Sequence, residues 1–298
     1  MTATTADSAP AKEVTRTPKL IGRRRTSLGH GILHVALIVW GITFLVPLLW
    51  MLSTSLKTSG QVFILPVQWI PKNPQWSNYQ EIFKILPLTS FMRNSLFVTA
   101  MGTLGTVFSS LLVGYSLARL RWPGREAVFA MLVATMMLPG IVTLIPTFIL
   151  YTRLGWVDTF LPLFVPSWFG TPFYIFMMRQ FMIGLPYELE EAARIDGASS
   201  IRILTTIIVP LCGPAIAAVA IFSALAHYND FLGPLIYLST NDRFTIPLGL
   251  QWYAGRYGNF WHLVMAASTV ALAPVMVLFF VAQRYFVRGI VLSGLGGR

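Results

Sequence analysis

The chain has 298 residues, 55% hydrophobic and 11% charged, with a formal net charge of +11 and a mean hydropathy of +0.66. A water-soluble domain carries about a quarter charged residues, so this composition excludes an ordinary soluble domain. It also speaks against nucleic-acid binding, because the basic residues separate long uncharged segments instead of lining one polar face.

In chain order, residues 1–30 run from a Thr/Ala/Ser/Pro-rich stretch into Lys19, Arg23, Arg24 and Arg25. They lack the short apolar core and small-residue cleavage site of a secretory signal, and we read them as a disordered basic cytoplasmic tail. Six uncharged runs follow, approximately Gly31 to Leu52, Asn94 to Ala118, Ala127 to Thr152, Thr159 to Met178, Ile203 to Asn229 and Tyr257 to Gln283. Each approaches or exceeds the roughly 20 helical residues that cross about 30 Å of hydrocarbon. None contains Asp, Glu, Lys or Arg, any of which at mid-bilayer costs roughly 2.5 to 3.5 kcal/mol. The expected fold is an all-α integral membrane protein of six transmembrane helices over residues 31–290, with a short Gly-rich tail at 291–298.

With both termini cytoplasmic, basic residues on the inside outnumber those outside by about two to one, which is the sense of the positive-inside rule. Pro47, Pro139, Pro146, Pro166, Pro172 and Pro274 fall in these runs and are expected to kink or interrupt them. In the second run Gly102, Thr106, Ser110 and Gly114 recur every four residues, a stripe that lets another helix approach closely. Cys212 is the only cysteine, so no intramolecular disulfide forms, and a packing role is the simplest reading.

Between the fourth and fifth runs lies the polar stretch Arg179 to Ser200. Pro186 suits a first helical position, and Glu188, Glu190 and Glu191 suit the positive end of a helix. Glu190 and Arg194 are spaced to pair across one turn. Gly197 can stop the helix in a left-handed turn, and Ser199 or Ser200 can cap the next one. A short helix, a sharp turn and a second helix are therefore expected on the cytoplasmic face, with an amphipathic interfacial helix as the simpler alternative.

These residues resemble the permease subunits of binding-protein-dependent ABC importers. In that family the cytoplasmic loop reads Glu-Ala-Ala, three residues, Gly, nine residues, Ile, one residue, Leu-Pro. Here Glu191-Ala192-Ala193 is followed by Gly197, Ile207 and Val209-Pro210, with Val209 in the Leu position. From Gly31 onward the chain looks like the maltose-type second permease of carbohydrate importers. The similar stretches include Arg93 to Leu96, Tyr115 to Gly124, Val142 to Pro146 and Thr245 to Leu250. After the fifth run the relatives' Trp-Asn-acidic-Phe-Leu-Trp-Pro-Leu is Tyr228-Asn229-Asp230-Phe231-Leu232-Gly233-Pro234-Leu235, differing at both aromatic positions.

The resemblance implies a coupling helix that docks on a separate ATPase subunit, through Glu190, Glu191, Ala192, Ala193, Asp196 and Gly197. It implies a multi-pass protein of the bacterial inner membrane that imports a sugar or sugar-like solute by alternating access. The partners it implies are a second, different permease, two ATPase subunits, an extracytoplasmic solute-binding protein, the sugar and membrane lipid. No Gly-x-x-x-x-Gly-Lys-Ser/Thr loop occurs in the chain, so ATP and Mg belong to the ATPases, and this chain is expected to need no cofactor and to be no enzyme.

Tyr228, Asn229 and Asp230, at the end of the fifth run, are candidates to line the translocation path, with a helix cap or interface pair as the competing reading. His30, His34, His227 and His262 lack metal-ligand spacing. Trp69 and Trp76 in one external segment, and Trp252, Tyr253, Tyr257 and Trp261 in another, suit an interfacial belt, contact with the binding protein, or stacking on sugar. The residues 289–297 resemble the family's C-terminal tail, which can touch the ATPases or fray. An ion-gradient-driven secondary transporter is the alternative function, but neither an obvious repeat nor a midplane charge accompanies it.

Overall fold

The computed structural model describes residues 27–256 and 260–295, with side chains described for 30–256 and 260–283. Among the described residues the major elements are all helical: α1 (Ser27–Ser55), α2 (Ser77–Ile85), α3 (Leu88–Arg119), α4 (Arg125–Thr135), α5 (Gly140–Arg153), α6 (Leu161–Trp168), α7 (Pro172–Ile183), α8 (Glu188–Ile195), α9 (Ser200–Leu211), α10 (Gly213–Tyr228), α11 (Leu232–Tyr237), α12 (Ile246–Arg256) and α13 (Trp261–Leu295). The tail expected at residues 1–30 falls almost wholly outside the described residues, as do residues 257–259 and 296–298. At the other end α13 continues helically through Leu295, past the expected start of the Gly-rich tail.

Four stretches are long and apolar enough to cross a membrane: His30–Ser55, Leu88–Arg119, Leu161–Ile183 and Trp261–Gln283. The third and fifth uncharged runs are instead bent pairs, α4 with α5 at 98° and α9 with α10 at 79°. A proline marks each break. Pro139 caps α5 and disfavours a helical conformation in Leu138, and Pro214, in the first turn of α10, lacks the amide that would continue the ladder across the bend. Pro47, Pro146, Pro166 and Pro274 lie within helices, where neighbouring groups in a bundle can satisfy the carbonyls they free.

The chain divides into two compact units, Met1–Leu49 and Trp50–Arg298. In the first, the described residues are helical and their large apolar side chains, including Ile32, Trp40, Phe44 and Leu49, are exposed. That surface suits hydrocarbon and not water.

In the second unit α3 is the axis, packing along α6, α7 and α10. Small residues of α3, the stripe together with Gly105, make this possible. A Cβ on Gly102 would lie 2.3 Å from the His227 ring, on Gly105 2.4 Å from Trp168, and on Gly114 3.1 Å from Met178. One buried cluster gathers Phe91, Val98, Leu163, Tyr228, Tyr253 and Leu263. The other gathers Tyr115, Met178, Met182, Ile203, Ile208 and Cys212 around the last turns of α3.

Polar ties fix the loops at the far end. Asn94 Nδ2 donates to the carbonyls of Asp242 (2.7 Å) and Phe244 (3.1 Å), and Ser95 Oγ accepts from the Ile246 amide at 2.8 Å. Asp158, left-handed at φ 57°, accepts from the Ser239 and Thr240 amides at 3.0 Å and from the Thr240 hydroxyl at 2.6 Å. Those bonds, led by the Thr240 hydroxyl, hold its carboxyl down to about 2.

Gly102→Ala should destabilise the protein by about 1 to 3 kcal/mol through overpacking against His227, seen as a lower thermal unfolding midpoint in detergent. Gly41→Ala, where a Cβ meets nothing within 4 Å, should not lower it. Because the Asp158 carboxyl is depressed, its stabilising tie is complete above the ordinary aspartate range and is lost only as pH falls toward 2. Hydrogen exchange at Ser239 and Thr240 should therefore show the same opening equilibrium at pH 7 and pH 5. Asp158→Ala should raise it by about tenfold or more, the loss of charge-assisted hydrogen bonds.

Candidate functional site

The polar stretch between α7 and α10 forms the expected helix–turn–helix, with one boundary moved. Helix α8 begins at Glu188 with Tyr187 as its N-cap, so Pro186 precedes the helix and does not open it. Glu188, Glu190 and Glu191 occupy its first turn, where unpaired amides favour carboxylates. Gly197 ends the helix at φ 80°, a left-handed conformation that costs side-chain-bearing residues about 1 to 2 kcal/mol. The Gly197 amide bonds the Arg194 carbonyl at 3.0 Å, and the Ala198 amide bonds the Ala193 carbonyl at 2.9 Å. Ser199 is then the N-cap of α9, accepting from the Arg202 amide at 3.4 Å.

Helical period divides the loop between two environments. Glu190 is 1% exposed and Ala193 packs on the second buried cluster. Glu188, Leu189, Glu191, Ala192, Ile195 and Asp196 face outward, Ile195 being 86% exposed. Of the sequence-predicted coupling residues, Glu191, Ala192, Asp196 and Gly197 are thus exposed together, whereas Glu190 and Ala193 are turned toward the bundle.

The partner of Glu190 lies on another helix. Arg119, the last residue of α3, is 2% exposed, and its Nε approaches Glu190 Oε1 to 3.2 Å without hydrogen-bond alignment. Its Nη2 donates to the carbonyls of Met182 and, at 2.6 Å, Leu185. The guanidinium stacks 4.2 Å from the centre of the Tyr187 ring, and Tyr187 donates to the Ala118 carbonyl at 3.3 Å. The expected Glu190–Arg194 pair also forms, at 3.5 Å, but on the solvent side of the buried one.

A second arginine braces the same end. Arg179 of α7 donates to the Leu117 carbonyl, pairs with Glu126 of α4 at 3.3 Å, and lies 3.7 Å from the centre of the Phe129 ring. Sequence reading counted Arg119 and Arg179 only as inside positive charges. The available signal was their position, each the first cation after an apolar run.

Along α9 the residues Leu204–Ile208 form a π-helical turn, with the Val209 amide bonded to the Leu204 carbonyl. Pro210 lacks an amide and crowds the carbonyl four residues before it, which favours this wider turn. The last part of the loop motif, Ile207 with Val209-Pro210, thus coincides with a local irregularity in α9.

Tyr228, Asn229 and Asp230 do not converge on one point. Tyr228 donates to the Ala271 carbonyl of α13 at 2.6 Å, and Asn229 donates back to Leu225 of its own helix at 2.9 Å. Asp230 accepts from the Gly233 amide at 3.2 Å, at the start of α11, and burial pushes its carboxyl up. Asn229 is the exposed member of the three. Among the described residues no three His, Cys, Asp or Glu side chains are grouped to hold a metal.

Removing one partner of a buried ion pair strands the other charge, at about 3 to 5 kcal/mol. Arg119→Met should therefore lower unfolding stability by several kcal/mol, read by thermal denaturation of the purified protein. Glu191→Ala, one residue from the buried glutamate but exposed, should stay within about 0.5 kcal/mol of the parent.

Comparison with known proteins accounts for this geometry. Residues 110–292 match the family model described as the binding-protein-dependent transport system inner membrane component. The sulfoquinovosyl glycerol transport system permease SmoH of Agrobacterium fabrum is 31% identical over 90% of this chain and 95% of its own length. The arabinooligosaccharides transport system permease AraQ of Halalkalibacterium halodurans is 34% identical over 82% and 86%. The trehalose/maltose transport system permease MalG of Thermococcus litoralis is 30% identical over 92% and 99%. In fold the chain is similar to a subunit of a bacterial ABC transporter that imports the acidic polysaccharide alginate, with a TM-score of 0.77, 23% identity, and coverage of 88% of this chain and 98% of that one. The chain therefore belongs to the family of binding-protein-dependent transport system inner membrane components, the membrane permease subunits of ABC importers.

Proposed function

We propose that this permease moves a carbohydrate or carbohydrate-like solute into the cell by alternating access, driven by ATPase subunits that dock on α8. The observation that carries the reading is the split of the loop: Glu191, Ala192, Ile195 and Asp196 on an exposed face, Glu190 locked to the bundle behind it. One face is free for a groove on the ATPase, and the other transmits its movement to α3. Glu191 offers a carboxylate to a basic partner, and Ala192 permits close approach.

The cargo class follows from the relatives, whose names specify sulfoquinovosyl glycerol, arabinooligosaccharides and trehalose or maltose. Family membership speaks for ATP-coupled import and against the ion-gradient alternative. We further propose six crossings over residues 31–290, with the bent pairs counted as one span each. Both termini are cytoplasmic, with the tail at 1–30 and the segment 291–298 on that side, as the charge asymmetry supports. The complete assembly adds a second, different permease, two ATPases and a solute-binding protein within the lipid of the inner membrane. Asn229, exposed at the end of α10, is the member of the Tyr228–Asp230 group best placed to meet solute.

The test is co-purification with the ATPase followed by ATP-driven uptake. Glu191→Ala and Gly197→Val should each reduce uptake by about tenfold, equivalent to roughly 1.4 kcal/mol of coupling. Because a Cβ at Gly197 meets nothing within 4 Å, the valine acts through its left-handed backbone and not through a clash. Undiminished ATPase binding and uptake in both variants would remove the coupling mechanism.

A further inference from the structure

The segment between α1 and α2 presents an apolar surface that the transport reading does not use. From Leu56 to Gln80 it holds no Asp or Glu, and its cations are Lys57 and Lys72. Lys57 is buried, its Nζ 4.0 Å from the centre of the Trp50 ring. Phe63, Leu65, Ile70 and Trp76 are exposed, Leu65 at 82% and Ile70 at 83%. Side chains this apolar, gathered in one short segment and exposed, require an apolar cover.

The depth at which the segment lies is set by three contacts. Ser53, in the last turn of α1, donates through Oγ to the Trp69 carbonyl. The Trp69 ring meets the Trp50 ring edge-on at 5.4 Å. The Gln75 amide returns to the Leu56 carbonyl at 2.9 Å. The segment therefore folds back along the helix that brought it out of the membrane. Trp50 lies five residues before the end of α1, about 7 Å along its axis, so Trp69 and its neighbour Ile70 sit beside the last turns of an apolar span. The backbone from Phe63 to Ile70 is irregular, which forbids the hydrocarbon centre but is admissible where headgroups and water reach.

We infer that residues 63–76 form an interfacial anchor, with Phe63, Leu65, Ile70 and Trp76 inserted at the boundary between phospholipid headgroups and acyl chains. The occupant is lipid because the segment is held at the depth of a span's end. It carries rings suited to that level, and it sets an exposed Lys72 among no carboxylates, an arrangement complementary to lipid phosphates. The anchor fixes the mouth of the permease against the bilayer plane while the cytoplasmic end moves. Only the assignment to the outer leaflet rests on the orientation proposed above.

The experiment uses the assembled transporter in phosphatidylethanolamine and phosphatidylglycerol vesicles. In a Cys212→Ala background, nitroxide labels are placed at Leu65→Cys, Ile70→Cys and, as a control, the exposed Asn241→Cys. Labels at 65 and 70 should collide with dissolved oxygen more than with water-soluble nickel chelate, by about twofold or more for insertion at 5–10 Å, and the label at 241 should do the reverse. Nickel-dominated collisions at 65 and 70, meaning a surface in water or against a hydrated partner, would overturn the anchor. So would a label shielded from both reagents by a protein neighbour. Brominated acyl chains provide a measurement on the native side chains: they should quench tryptophan emission, and Trp76→Phe should remove part of that quenching, whereas an unchanged quenched fraction also overturns it. Reaction of the Asn241→Cys thiol with an impermeant maleimide reports the orientation separately, so failure of the topology and failure of the anchor give different results.

Discussion

The buried pair between Arg119 and Glu190 is the constraint on which the end of the bundle carrying α8 depends. Two charges removed from water are costly unless their geometry satisfies both, and here the guanidinium also binds the carbonyls of Met182 and Leu185 and covers the Tyr187 ring. One side chain thereby indexes the end of α7, the turn that follows and the first turn of α8 to the last residue of α3. The pair thereby ties α8 to α3, the helix against which α6, α7 and α10 all pack. In the coupling mechanism proposed above, this tie is the route from α8 to the bundle.

Stiffness at that joint contrasts with the bends elsewhere. The α4–α5 and α9–α10 pairs bend at Pro139 and near Pro214, where missing amides release carbonyls from the helical ladder. The π-turn at Leu204–Ile208 lies between the α8 loop and the α9–α10 bend. The mechanism proposed above uses both properties: a tied joint at α8, and bent helix pairs whose halves are not bound to move as one rod. The close packing of Gly102 on His227 and Gly105 on Trp168 keeps α3 registered with α10 and α6.

Much of this was readable from local chemistry. The uncharged runs coincide with four helices long and apolar enough to cross a membrane and with two bent helix pairs, because mid-bilayer charge is costly, and Gly197 marked the left-handed turn because few other residues adopt it. The four-residue stripe marked the packing face of α3. What the sequence concealed was long-range: nothing in the spacing of Glu190 and Arg194 tells that Arg119, some seventy residues earlier in the chain, is the buried partner. The bends were concealed differently. Prolines occur both in helices that stay continuous, as Pro47 and Pro274 do, and at breaks, as Pro139 does, and only the packing around each decides. Tyr228 and Asp230 carried a polar signal that the fold consumes, one in a tie to α13 and the other at the start of α11.

The adjacency of Glu190 and Glu191 gives the loop its directional character. Successive residues on a helix are turned by about 100°, so two neighbouring carboxylates cannot both be buried against the same wall or both be offered to the same partner. The inner one fixes the helix to α3 and the outer one is exposed, with Ala192 small on the outside and Ala193 small on the inside. Moving Glu190 by one position would bring a solvated carboxylate to the surface and leave the Arg119 charge without its counterion. The short helix thus presents one face to the membrane bundle and the other to the outside, the alternation that the docking proposed above requires.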